Sequence, residues 1–119
     1  MRCEYCLIHR EDAAFSHEID HVVSRQHGGK TIAENLAYAC VNCNRFKGTN
    51  LSSVDGSGGL VRLFDPRNDR WDEHFRVEGA VIRSLTRVGE ATSMLLRLNT
   101  DERIMERKLL QRLGRYKRR

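Results

Sequence analysis

The sequence lacks three features that would place it in other broad classes of protein. Its longest uninterrupted apolar stretch is the segment 36–41, LAYACV, which is too short to span a bilayer as a helix. Its N-terminal segment, MRCEYCLIHRED, has no apolar region of the kind that a secretory signal requires. A chain of 119 residues is also short for a multi-domain enzyme. We therefore expect one small folding unit located in the cytoplasm.

Acidic residues are scarce at the C-terminal end of the chain. The formal net charge is +5, which suggests a polyanion such as nucleic acid as the partner. Residues 103–119 contain eight Lys or Arg and one Glu, whereas residues 1–102 contain 13 basic and 15 acidic residues. The basic excess is therefore a property of the C-terminal segment, and the rest of the chain is nearly neutral.

The four cysteines form two C-x-x-C pairs, Cys3 with Cys6 and Cys40 with Cys43. Two such turns can place four thiolates around one tetrahedral ion, which is the arrangement of a structural zinc site. A disulfide framework is favoured in secreted chains, and a redox C-x-x-C is usually a single motif, so both alternatives are weaker. The spacing predicts structural zinc, with 33 residues between the pairs. We expect any chemistry to lie within that insert.

The insert has a simple pattern of local structure. Residues 16–24 contain β-forming residues and predict a strand, and the glycine-rich segment 24–30 predicts a loop. Residues 31–40 predict a second strand that runs into the second cysteine pair. The segment VNCNRFKG has helical spacing, with Gly48 suited to the position after the helix. The expected order is strand, loop, strand and helix.

Taken in order, the motifs CEYC, EIDHVV, HGG, ENL and CVNCNRFKG resemble the HNH endonuclease family over roughly residues 3–48. The resemblance implies an α+β fold with a ββα-metal (His-Me finger) core, here clamped by the four-cysteine zinc site. It implies a nuclease that cuts or nicks DNA, with double-stranded DNA as the expected substrate. The segment LFDPRNDRWDEHF is similar to extensions of small stand-alone bacterial proteins of this family.

The resemblance also assigns roles to four residues of the insert. By position, it implies that His21 is the general base and that Asn35 supports the loop. Asp20 and Asn44 would hold a catalytic divalent ion, and their hard oxygen ligands favour Mg²⁺ or Mn²⁺. Neighbouring residues of a regular strand point to opposite faces, yet Asp20 and His21 would serve one site. We therefore expect them at a strand end or a bulge, with Asn35 reaching across to the loop.

The second half of the chain predicts additions to this core. We divide the chain into a nuclease core at 1–51, a flexible connector at 52–59, and an extension at 60–119 packed on the core. The extension is expected to contain a β-hairpin (74–77 with 80–85), a short helix, and a basic helix that starts at 100–102. Ile104, Leu109, Leu110 and Leu113 would form the apolar side of the basic helix. Residues predicted as possible DNA contacts are Lys47, Arg112, Arg115, Lys117, Arg118 and Arg119.

Two other classes of function are compatible with parts of this pattern. A non-catalytic, zinc-dependent nucleic-acid-binding module would explain the cysteines and the basic segment. A structural zinc protein that binds another protein would explain the cysteines alone. The Asp20–His21 pair, together with Asn35 and Asn44, separates the nuclease from both, because binding by itself does not require these residues. The basic C-terminal helix remains open to a role in DNA contact, dimerisation or solubility.

Overall fold

The computed structural model describes residues 1–116 and contains six short strands, four α-helices and three 3₁₀ turns within that range. The predicted contacts Lys117, Arg118 and Arg119 lie outside the described residues. The strands are β1 (Glu18–His21), β2 (Leu36–Ala39), β3 (Ser52–Val54), β4 (Leu60–Arg62), β5 (Phe75–Glu78) and β6 (Val81–Ser84). The helices are α1 (Val41–Lys47), α2 (Trp71–His74), α3 (Arg87–Leu96) and α4 (Asp101–Arg112). The fold is thus a small mixed α and β structure.

Each strand pairs with its neighbour in sequence, giving three antiparallel two-stranded sheets. In the first sheet, Glu18 lies opposite Ala39 and His21 lies opposite Leu36. The expected strand at 16–24 is shorter, because the chain leaves β1 after His21 and enters a loop held by Asn35. The expected strand at 31–40 begins only at Leu36, after a single 3₁₀ turn.

Helix α1 follows β2 directly and packs against β1. The Cys40 sulfur caps its first turn by accepting a hydrogen bond from the Cys43 amide. The helix ends at Lys47, and the next residue, Gly48, has a φ of 54° and donates its amide to the Asn44 carbonyl. The expected order of strand, strand and helix is therefore present, and it places α1 over the strand that carries Asp20. The catalytic metal in the expected ββα-metal core stays a prediction.

The segment 52–59, expected to be a flexible connector, contains regular secondary structure, and its role as a connector stays a prediction. It forms β3 and the turn of a hairpin with β4, in which Ser52 lies opposite Arg62. Asp55 organises the turn, since its Oδ1 accepts hydrogen bonds from the amides of Ser57 and Gly59. The polar, glycine-rich composition that suggested flexibility is the composition that this tight turn uses.

The expected hairpin and helices of the extension are present. Strands β5 and β6 pair with Phe75 opposite Ser84, and α3 begins at Arg87 after the Thr86 side chain caps its first turn. Thr100 caps α4 in the same way, by accepting from the Arg103 amide. Both threonines satisfy amides that the first turn of a helix leaves unpaired.

The expected apolar side of α4 is only half packed against the protein. Leu110 is buried and Ile104 is half-buried, but Leu109 and Leu113 are 57% and 63% exposed. The face of α4 that meets the protein instead carries two arginines, Arg103 and Arg107, which are 9% and 3% exposed. The guanidinium groups tolerate burial because both donate to buried acceptors, described below.

The core joins the two halves of the chain. Its main cluster contains the cysteines and Tyr5 from the first half and Phe64, Phe75 and Leu98 from the second. Trp71 packs its ring against Phe75 and donates its indole N–H to the Tyr5 carbonyl at 2.9 Å. Within residues 1–116 no helix has the length and apolar character needed to cross a membrane.

Candidate active site and metal centre

The four cysteines converge on one point in the core, as their spacing predicts. Their sulfur atoms all lie within 4.8 Å of one another. The four residues are between 0% and 5% exposed, so the cluster is closed to solvent. Among residues 1–116 this is the one set of three or more His, Cys, Asp or Glu close enough to share a metal ion.

Backbone amides support the cluster from both C-x-x-C turns. The Cys6 amide donates to the Cys3 sulfur and the Cys43 amide donates to the Cys40 sulfur, both at 3.4 Å. Leu7 has a φ of 68°, a left-handed conformation that is uncommon outside glycine and turns the chain after the first pair. In both turns, therefore, the amide of the second cysteine donates to the sulfur of the first.

The donor set fits a structural zinc ion. Burial raises the pKa of the Cys3 and Cys43 thiols, so four adjacent thiolates without a cation would be costly. A coordinated metal deprotonates its thiol ligands and offsets that cost. Four thiolates with no open position form the closed type of zinc site, which serves structure rather than catalysis.

A side chain from α4 also reaches the cysteine cluster. Arg103 places Nη2 at 3.2 Å from the Cys43 sulfur and 3.9 Å from the Cys40 sulfur. Its Nη1 donates to the Leu96 carbonyl at 2.9 Å, at the end of α3. Burial alone would lower the pKa of this guanidinium, but the adjacent thiolates raise it overall. Nothing in the sequence indicates this contact, because Arg103 lies in the basic C-terminal segment and arginines in such segments are usually solvated.

Asp20 and His21 lie at the end of β1, as expected. The His21 Nε2 atom is 2.9 Å from the Thr31 hydroxyl, across the loop, and its ring is partly exposed. Asp20 is 8% exposed, and its burial raises the pKa of the carboxyl even though Lys47 acts in the opposite direction. The pair thus places a buried carboxylate beside an accessible imidazole.

Lys47 is buried, which differs from its predicted role as a possible DNA contact. We expected a surface side chain that contacts DNA phosphate, but Lys47 is 1% exposed. Its ammonium lies 3.1 Å from Asp20 Oδ2 and donates to the His21 carbonyl at 3.2 Å. Burial of the ammonium excludes a phosphate contact in this conformation. Lys47 instead connects α1 to the end of β1.

Asn44 lies one turn before Lys47, on the face of α1 that meets β1. Its Nδ2 donates to Glu18 Oε1 at 3.0 Å. Glu18 precedes Asp20 by two positions on β1, so the two carboxylates share a face of the strand. We did not single out Glu18 from the sequence, although the two-residue alternation from Asp20 would have indicated it.

Asn35 forms hydrogen bonds across the loop that follows His21, in the position that the resemblance implies. Its Oδ1 accepts from the Val23 amide, and its Nδ2 donates to the carbonyls of Val23 and Lys30, all at 2.9 Å. These bonds tie both ends of the loop after His21 to the start of β2. Gly29 completes the loop, because a Cβ there would overlap the Val23 carbonyl oxygen.

The basic residues predicted as DNA contacts differ in their surroundings. Arg112 is exposed at the end of α4. Arg115 forms an ion pair with Asp12, with Nε 2.5 Å from Oδ1, and lies 3.7 Å from Glu11. Arg112 is therefore more accessible to a phosphate than Arg115. DNA contact by either residue stays a prediction.

Residues 3–50 match the family model of HNH endonucleases. The match confirms the resemblance over the segment that contains both cysteine pairs, the end of β1 and helix α1. It indicates a nuclease, with nucleic acid as the implied substrate. Comparisons with curated proteins and with solved structures gave no significant match.

Proposed function

We propose that this protein is a metal-dependent endonuclease that hydrolyses phosphodiester bonds of DNA. The observation that carries the proposal is the arrangement at the end of β1. His21 is the last residue of β1, just before the loop that Asn35 holds, and it lies next to a buried carboxylate and near the helix that carries Asn44. A module that only binds nucleic acid has no need to hold an imidazole and a carboxylate in fixed positions.

His21 is the proposed general base. Its Nε2 atom is engaged by the Thr31 hydroxyl, and donation from Nε2–H to that oxygen leaves Nδ1 unprotonated. Nδ1 can then accept the proton of a water molecule that attacks phosphorus. The Asn35 bonds limit movement of the loop, and Thr31 limits rotation of the ring. Both contacts therefore position the base.

Asp20 and Asn44 are the proposed ligands of a divalent ion. Lys47 pairs with Asp20 through Oδ2, and Glu18 engages Asn44 through Nδ2. Each side chain retains a second atom, Oδ1, and both of these are hard oxygens that suit Mg²⁺ or Mn²⁺. A bound ion would supply charge stabilisation at phosphorus and at the departing 3′ oxygen. The zinc ion, held by four thiolates, would have no open position for this chemistry.

The proposed substrate is double-stranded DNA, held in part by the basic C-terminal segment. Contacts from Arg112, Arg115, Lys117, Arg118 and Arg119 to phosphates would be independent of sequence. Such contacts release counterions, so affinity would fall steeply as salt rises. Cleavage would therefore be strongest at low ionic strength.

Plasmid cleavage by the zinc-loaded protein tests the proposal. Supercoiled plasmid is incubated with Mg²⁺ or Mn²⁺ and either the wild type or His21→Ala. We expect nicked or linear products from the wild type and a loss of about 10²- to 10⁴-fold in rate for His21→Ala, since a general base contributes that much.

His9→Ala is the matched control, because it removes an imidazole from the N-terminal turn and leaves the end of β1 intact. It should cleave like the wild type. Equal zinc content and equal circular dichroism must accompany the comparison. If the wild type leaves plasmid intact across metals and pH, or if His21→Ala cleaves as fast as the wild type, the nuclease proposal is wrong.

A further inference from the structure

Arg103 connects the C-terminal extension to the cysteine cluster in a way that packing alone does not require. It is nine-tenths buried and its guanidinium makes two kinds of contact. One nitrogen donates to carbonyls at the end of α3, at 2.9 Å to Leu96 and 3.3 Å to Arg97. The other nitrogen contacts the sulfurs of Cys43 and Cys40. The planar fork of arginine allows both at once.

The charge of the cluster explains why a cation belongs there. Four thiolates with one divalent ion carry a formal net charge of −2 in a buried, low-dielectric setting. The guanidinium would reduce that charge to −1. It also donates to Cys43, which receives no amide hydrogen bond from its own turn, unlike Cys3 and Cys40.

We propose that Arg103 is a positioning residue of the zinc site, supplied by the C-terminal helix, and that it slows release of zinc from the Cys40–Cys43 pair. The inference rests on the cysteine cluster and is independent of whether the protein cleaves DNA. It assigns the extension a role in holding the metal on which the first half of the chain depends.

The structure offers a close control in the next turn of the same helix. Arg107 is 3% exposed, and it donates to the Ala80 carbonyl at 2.6 Å and to Asn99 Oδ1 at 2.8 Å. Among residues 1–116 it makes no hydrogen bond to a cysteine sulfur. Replacement of either arginine by methionine removes a buried cation from α4, and Arg107 also acts on Cys6 through its charge, but only the Arg103 replacement removes hydrogen bonds to sulfur.

The test compares zinc-loaded wild type, Arg103→Met and Arg107→Met as full chains. Zinc release is followed with an excess of a colorimetric chelator well below each protein's unfolding temperature. Loss of outer contacts to metal ligands typically costs about 10- to 100-fold in metal affinity. We expect release to be about 10-fold faster for Arg103→Met. Arg107→Met should release zinc at the wild-type rate even where its unfolding temperature falls by the same amount.

A spectroscopic readout separates the proposed contact from general loosening of the fold. In cobalt-substituted protein, donation to a thiolate raises the energy of its charge-transfer absorption, so Arg103→Met should shift that band to longer wavelength. Arg107→Met should leave the band in place. Arg103→Lys keeps the charge but lacks the planar guanidinium, so it should give an intermediate shift of the band. It takes the place of Arg103→Met if the methionine variant does not fold. Equal release rates and an unshifted band for all variants would overturn the proposal.

Discussion

The two candidate metal sites of this protein differ in almost every physical respect. The cysteine cluster is buried, has four ligands, and is supported by amides and by Arg103. The end of β1 offers oxygen ligands and a partly exposed imidazole, and its residues are held by bonds within the loop. A closed set of ligands serves stability, and an open set leaves room for substrate and water. In this account structure and chemistry belong to different sets of ligands, although Asn44 directly follows Cys43 in the chain.

Cys43→Ser tests the structural side of this comparison and should have the largest effect. Zinc binding to structural sites contributes about 10 to 16 kcal/mol, which is comparable to the whole stability of a small domain. We expect the variant to lack zinc and to show no cooperative thermal transition by circular dichroism. Asn42→Ser, at the exposed neighbouring position, is the control and should unfold like the wild type. A cooperative, zinc-free Cys43→Ser would contradict a structural role.

Lys47→Met should produce the next largest effect, on stability. The change leaves the buried Asp20 carboxylate without its cation, and removal of one partner of a buried pair costs about 3 to 5 kcal/mol. Because Asp20 is slightly exposed, we expect a loss near 3 kcal/mol in urea unfolding. The double variant Asp20→Asn with Lys47→Met should recover part of that loss. A loss below about 1 kcal/mol would place Lys47 at the surface, where pairs contribute that little.

Gly29→Ala tests the chemical side by disturbing the loop that follows His21. Its Cβ would overlap the Val23 carbonyl and press on the Asn35 amide. A displacement near 1 Å can cost about 10²-fold in rate, so we expect plasmid cleavage to fall by that order while zinc content is unchanged. Gly28→Ala is the control, since its Cβ meets nothing within 4 Å. Its only energetic cost is the backbone strain of an alanine at a φ of 85°. If both variants cleave plasmid equally well, the hydrogen bonds of Asn35 across the loop do not position His21.

Asp55→Asn should have the smallest effect, because it lies outside both sites. Hydrogen bonds from Ser57 and the Arg87 guanidinium hold the pKa of Asp55 well below its usual range. Because its pKa is lower in the folded protein, Asp55 stabilises the fold at pH values above about 4, the pKa of an aspartate in the unfolded chain. That contribution is lost progressively as the pH falls below this value toward the pKa of the folded state. We therefore expect Asp55→Asn to unfold at a lower temperature than the wild type at pH 7. The difference should shrink at pH 3, and a difference independent of pH would refute the assignment.

The sequence predicted the parts of the site that depend on spacing along the chain. Two C-x-x-C pairs imply convergence because four thiolates suit one ion, and the structure confirms the cluster. The position of Asn35 followed from a resemblance in which residue order is informative, and its bonds across the loop agree with that expectation. Asp20 and His21 were expected at a strand end because alternation along a strand would otherwise separate them.

The sequence did not predict contacts in which charged groups are buried. Periodicity treats arginine and lysine as surface residues, so it does not single out Arg103, Arg107 or Lys47 as buried. Each is buried because a particular acceptor from a distant segment meets it: a thiolate, a carbonyl or a carboxylate. The hairpin at 52–62 was missed for a related reason. Asp55 organises the turn through side-chain bonds that composition does not reveal.

The central claim is that one metal holds the fold and another supports the chemistry. Its most direct test is plasmid cleavage by the zinc-loaded protein, measured with and without added Mg²⁺ or Mn²⁺. The protein is first treated with a chelator mild enough to leave the cysteine-bound zinc in place, and zinc is then measured at about one per chain. We predict no cleavage without added ion, and cleavage that returns on addition of Mg²⁺ or Mn²⁺ while zinc content and circular dichroism stay constant. Cleavage that follows zinc content and is indifferent to added Mg²⁺ or Mn²⁺ would contradict the account.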